Sequence, residues 1–66
     1  MEIPKETLAK WQRLYDRGDA EQISKMAGVH KNTYFNTMAK RRGSPKLLKV
    51  MYEFFAEKER IYQKLP

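Results

Sequence analysis

DAEQISKMAGVHKNTYFNTMAKRRG, the stretch from Asp19 to Gly43, sets two short helical segments on either side of Gly28-Val29-His30. Asp19 is a good helix N-cap, and Gln22, three residues on, can complete a capping box. The spacing predicts a helix over about 20–27, with Ile23, Met26 and Ala27 inward. Ser24 is small enough for another helix to cross closely, and Gly28 ends the segment. About eight residues are too few for a helix to persist alone, so tertiary packing must hold it.

The next helix is expected over about 31–41. At 100° per residue, Tyr34, Thr37, Met38 and the stem of Arg41 share one face and should pack inward. Opposite them lie Asn32, Phe35, Asn36 and Ala39, flanked by Thr33 and Lys40, with Lys31 at the amino-terminal end. Two asparagines, a phenylalanine and an alanine make a poor solvent face but suit a DNA major groove. There Asn can bond adenine N6 and N7 together, and an apolar group can touch the thymine methyl. The competing reading puts Phe35 in the core beside Tyr34 and leaves the asparagines solvated.

Working outward, the chain has 66 residues and a formal charge of +6. That is one small domain, able to bury only about 60% of its unfolded surface. A helix is expected over about 4–17, with Pro4 at its first position, an apolar stripe of Leu8, Trp11, Leu14 and Tyr15, and Gly18 as its stop. Ser44-Pro45 is a natural N-cap and N1 pair for a long final helix over about 45–64, roughly 30 Å at 1.5 Å per residue. Leu47, Leu48, Met51, Phe54 and Phe55 should complete the core. The first helix is expected to be shorter, about 21 Å, so the end of the last one should project. Its apolar residues suit self-association through Phe54, Phe55, Ile61, Tyr62 and Leu65. Alternatively, Ile61 and Tyr62 fold back onto Ile3 and the first helix.

Charge is segregated. From Gln22 to Tyr52 there is no Asp or Glu, while Lys25, Lys31, Lys40, Arg41, Arg42, Lys46 and Lys49 all fall in that window. Outside it, seven cations meet eight acids, a net of minus one. Solvated helical surfaces usually mix both signs, so the pattern points to a polyanionic partner. Lys40, Arg41, Arg42, Lys46 and Lys49 read as phosphate clamps beside the free N–H groups of the helix that starts at Ser44. Lys25, Thr33 and Ser44 join them as expected phosphate contacts.

With these residues in place, the pattern resembles the Cro/phage-repressor helix-turn-helix family. Ile23, Ser24, Gly28, Val29 and Tyr34 sit where that family has its helix-two hydrophobe, small residue, turn glycine, post-turn hydrophobe and recognition-helix hydrophobe. Gly28-Val29-His30-Lys31-Asn32-Thr33 is similar to its turn, and Gly43-Ser44-Pro45-Lys46-Leu47-Leu48 to the loop that follows. The likeness covers about Ala20 to Phe55. Ser24 for alanine, Tyr34 for a smaller aliphatic and Thr37 for an aliphatic depart from it. The resemblance implies an all-α, four-helix, lambda-repressor-like helix-turn-helix domain with a long C-terminal helix. It assigns base-edge contacts to His30, Lys31, Asn32, Phe35 and Asn36. It also implies a dimeric transcription regulator on double-stranded DNA with a palindromic operator.

Other classes are weighed on the same residues. A protein-interaction module would use Phe35 and the last helix, and a non-specific or RNA binder would keep only the basic clamp. An enzyme is not expected, because His30 is the single histidine and no acid near it in sequence could orient it. His30 can instead cap a helix, sit exposed in the turn, or touch a phosphate when protonated. The absence of cysteine removes disulfides and thiolate metal sites. No cofactor or small-molecule ligand is implied. No apolar run approaches the roughly 20 residues that span a bilayer, and the first residues lack a signal-peptide core. A cytoplasmic, nucleoid-associated protein, bacterial or phage-encoded, is expected.

Overall fold

Gly18 and Gly28, both in left-handed backbone at φ 93° and 70°, bracket the second of four helices. The computed structural model describes residues 1–64. Its helices are α1 (Lys5–Leu14), α2 (Asp19–Ala27), α3 (Lys31–Lys40) and α4 (Pro45–Gln63). Among the described residues, the only other regular feature is an antiparallel pairing of Glu2 with Arg42.

The first helix is shorter than expected. It stops at Leu14 because Tyr15 turns extended, at ψ 131°. Gly18 therefore does not end α1; it stands before the first residue of α2. Asp19 lies inside α2, and the expected capping box is not made, since no side chain caps that end. The Asp19 carboxylate turns back instead to the Asp16 N–H at 2.8 Å and to the Lys58 ammonium. The full opposite charge of Lys58, brought by another helix, takes the carboxylate in place of the backbone N–H groups of the helix start.

The other end of α2 closes as its glycine requires. The Gly28 N–H reaches the Lys25 carbonyl at 3.3 Å and the Val29 N–H reaches Ser24 at 3.0 Å, the paired pattern of a left-handed C-cap. Ser24 is buried and donates to the Ala20 carbonyl at 2.7 Å, so its hydroxyl costs the interior little. Ser44 accepts the Leu47 N–H at 3.3 Å with Pro45 behind it, opening α4 as the sequence suggests.

The core is formed by Ile3, Trp11, Ala20, Ile23, Ala27, Tyr34, Leu47, Leu48, Met51 and Phe55. Trp11 stacks on Phe55 with centroids 5.1 Å apart and meets the edge of Tyr52 at 4.9 Å. One inward expectation and one surface expectation need correction. Met26 is 55% exposed, because its side of α2 faces a cleft toward α4 and not the core. Phe55, expected at a self-association surface, is only 1% exposed and belongs to the monomer's interior.

Nor does α4 project freely. Lys58 bridges Asp16 at 3.0 Å and Asp19, Tyr62 donates its hydroxyl to Asp16, and Lys10 meets Glu59 at 3.1 Å. The last turns of α4 are fastened to the α1–α2 joint. Ile61 and Tyr62 line a cleft with Gln22 and Met26 of α2, and Tyr62 reaches Asp16 just past α1, while Ile3 pairs with the end of α3. The Ile3 N–H donates to the Arg41 carbonyl at 2.7 Å, and Met1 and Gly43 exchange bonds at 3.1 and 3.2 Å. Leu65 lies outside the described residues. No described helix is long and apolar enough to cross a membrane.

Gly43 lets this arm close. A Cβ there would stand 2.7 Å from Thr37 Cγ2, and Thr37 is itself buried. Gly43→Ala should cost about 1–3 kcal/mol by urea unfolding, and adding Thr37→Ser should recover part of it. An unchanged midpoint in Gly43→Ala would refute this packing.

The Tyr62 hydroxyl, and then Lys58, hold the Asp16 carboxyl below the usual carboxylate range. Lys58 is shifted the other way: burial alone would lower it, but its bonds to Asp19 and Asp16 outweigh that and raise it. For a depressed carboxyl, the stability it contributes is present above the unfolded value near 3.9 and lost as pH falls through the folded value. Asp16→Asn should therefore lower the neutral-pH melting temperature and make stability less sensitive to acid below about pH 4. Equal acid sensitivity in the two proteins would count against the link.

Candidate nucleic-acid interface

The α2–α3 unit is built by its turn. Gly28 reverses the chain, half-buried Val29 packs onto the core, and His30 starts α3. His30 caps the helix: its Nδ1 accepts the Asn32 N–H at 3.0 Å. That acceptor exists only while Nδ1 carries no proton. A protonated ring would lose the cap and set a cation against the positive end of the helix. The ring's bonding favours the cap over the low-pH phosphate contact.

On α3, Tyr34 and Thr37 are buried, Met38 and Arg41 are half-buried, and Lys31, Asn32, Thr33, Asn36, Ala39 and Lys40 are exposed. Phe35 is 46% exposed, its ring edge-on to Tyr34 at 5.3 Å. It neither joins the core nor stands fully in solvent. A cavity of about 220 Å³, lined with Tyr15 and Met38 among others, lies on one side of it. Another of about 230 Å³, bordered by Arg17 and Lys31, lies beside it. Arg17 was missed by the sequence reading because it falls outside the acid-free window. Only the fold shows it flanking Phe35.

Tyr34 supports this helix from beneath, stacked near Tyr15 at 6.2 Å. Among the described residues its hydroxyl has no hydrogen-bond partner. Burial, and then Tyr15 and Asp19, push its pKa far up, so it stays neutral.

The expected phosphate contacts gather around the two ends of α3. Arg41 takes left-handed backbone at φ 56°, unusual for a residue with a side chain, and the Met1–Ile3 arm pairs with Arg41–Gly43. The arm thereby fixes where Arg41 and Arg42 leave the helix, a role that nothing in the first three residues announces. Lys46 comes close to the turn: a Cβ on Gly28 would lie 3.8 Å from its Nζ. The first turn of α4, with Ser44 and Lys46, therefore adjoins the α2–α3 turn.

Electrostatics separates these cations from the rest. The ion pairs among the described residues engage Lys10, Lys25, Lys58 and Arg60. Within the acid-free window only Lys25 has an acidic partner, Glu21 at 3.8 Å. Lys31, Lys40, Arg41, Arg42, Lys46 and Lys49 have none among the described residues. Such cations keep their full field for a partner. Of the residues expected at a dimer contact, Phe54 is half-buried, while Ile61 and Tyr62 are 48% and 40% exposed.

No family model matches the chain, and neither a curated protein nor a solved structure matches it.

If His30 is a cap, His30→Ala should lower stability by about 1 kcal/mol while His30→Asn keeps it, since asparagine is a strong N-cap. Thermal melts of the three proteins compare them directly. An alanine variant as stable as the asparagine one would rule the cap out.

Proposed function

We propose that this chain is a helix-turn-helix protein that binds double-stranded DNA by sequence and regulates transcription. In this reading α2, the Gly28–His30 turn and α3 form the motif, and α3 enters the major groove. Asn32 and Asn36 read adenines, each good bidentate contact being worth roughly 1–3 kcal/mol of discrimination. Phe35, half-shielded by Tyr34, meets a thymine methyl at the edge of the contact, and Lys31 adds a donor. Lys40, Arg41, Arg42, Lys46 and Lys49 grip phosphates, which fixes register without choosing sequence.

One observation carries the reading. Six cations with no acidic partner among the described residues lie on α3, in the loop after it and on the first turns of α4, while α3 itself carries exposed asparagines and a partly exposed phenylalanine. A solvated surface needs no such arrangement; a polyanion with readable edges does.

Two copies would occupy half-sites about 34 Å apart, one helical turn. DNA itself can hold such a pair together. Of the residues expected at a dimer contact, Phe55 is interior, while Ile61 and Tyr62 remain partly exposed.

Titration against duplexes selected from a random library tests the reading. Asn36→Ala should lose roughly 1–3 kcal/mol on the selected sequence and little on random duplex, whereas Arg42→Ala should weaken both alike and reduce the salt slope by about one. No binding at low salt would sink the proposal, and identical behaviour of the two variants would sink the division between reading and clamping residues.

A further inference from the structure

The opposite charge character appears in the cleft between α2 and α4. It has a volume of about 430 Å³. Met26, Phe54, Ile61 and Tyr62 form its apolar surface, and Glu53 and Glu57 stand on the α4 lip. Among the lining residues, Asp19, Glu53 and Glu57 carry negative charge and only Lys58 carries positive. Lys58 is already spent on Asp16 and Asp19. Glu57 shares Arg60 in an exposed pair, and Glu53 has no ion-pair partner among the described residues. A protein of charge +6 thus keeps an acid-rimmed apolar cleft that contains no residue assigned to the DNA surface.

We propose that this cleft docks a basic amphipathic helix of another protein. Glu53, Glu57 and Ile61 follow one another at four-residue steps, so the lip runs for two turns, about 12 Å. That length takes two apolar side chains one turn apart on an incoming helix, the helix-in-groove mode of recognition. Lysines or arginines flanking that ridge would meet Glu53 and Glu57. A second copy of this chain fits poorly, because two-fold pairing through the cleft turns the carboxylate lips toward each other, and like charges brought together at an interface oppose it. The inference goes beyond the DNA-binding proposal and does not rest on it. A protein bound here could remain while α3 holds DNA.

The test uses the full chain, isotopically labelled, and a cross-linked helical peptide of about 14 residues with leucines one turn apart and lysines beside them. A control peptide keeps the leucines and replaces each lysine with glutamate. The lysine peptide should shift the amide signals of Gln22, Met26, Phe54 and Ile61, and the glutamate peptide should not. Glu53→Lys with Glu57→Lys should weaken the lysine peptide about tenfold or more. Ile61→Glu should abolish the shifts; both changes lie on exposed positions, and melting curves confirm folding. Equal binding of both peptides, shifts centred elsewhere, or no effect of charge reversal would overturn the proposal. So would sedimentation showing a stable dimer that Ile61→Glu dissociates, since the second copy would then be the occupant. Loss of DNA binding with these peptide results intact would leave this inference standing, and the reverse holds too.

Discussion

The Lys58 ammonium, bound between the carboxylates of Asp16 and Asp19, ties the end of α4 to the joint between α1 and α2. Both Lys58 and Asp19 are largely shielded, with side chains 14% and 10% exposed. Leaving one member of a fully buried pair alone costs roughly 3–5 kcal/mol, and less where water still reaches the site. The joint needs such an anchor. It is a short irregular connection, with Tyr15 extended and Gly18 left-handed, and no helix of its own holds it in place. Once it is fixed, α2 is aimed, and the turn at Gly28 aims α3 in its turn.

The arrangement also divides the molecule electrostatically. Four of the eight acids are paired with cations outside the basic window: Asp16 and Asp19 on Lys58, Glu59 on Lys10, Glu57 on Arg60. The cations around α3 are left unopposed, and steering of a polyanion depends on such unopposed charge. In the proposed function, phosphate affinity and fold stability therefore rest on different sets of charges. Changes in the first set need not disturb the second.

Local signals were readable in the sequence and long-range ones were not. Gly28, Ser44-Pro45 and the angular spacing of Tyr34 and Thr37 against Asn32 and Asn36 act within a turn or two. Plotting the chain at 100° per residue therefore anticipated the turn, the α4 start and which α3 side chains are buried. Asp19 was misread because its best local role, the N-cap, lost to Lys58, which is 39 residues away. Met26 was misread because apolar character was equated with burial, though its neighbours on α4 leave a cleft. The arm at Met1–Ile3 is too short to carry any periodicity, and the extended backbone at Tyr15 that ends α1 has no glycine or proline to announce it.

The pairing of Met1–Ile3 with Arg41–Gly43 has a kinetic meaning. The Met1–Gly43 contact spans 42 positions, a separation of the same order as the 46 between Asp16 and Tyr62. Closing so large a ring costs chain entropy that grows only slowly with length but must be met before the contact gives anything back. Helices form in under about a microsecond, so the ring closes onto elements already made. In this order of events the backbone around Arg41 and Arg42 acquires its final shape only after the helices have formed.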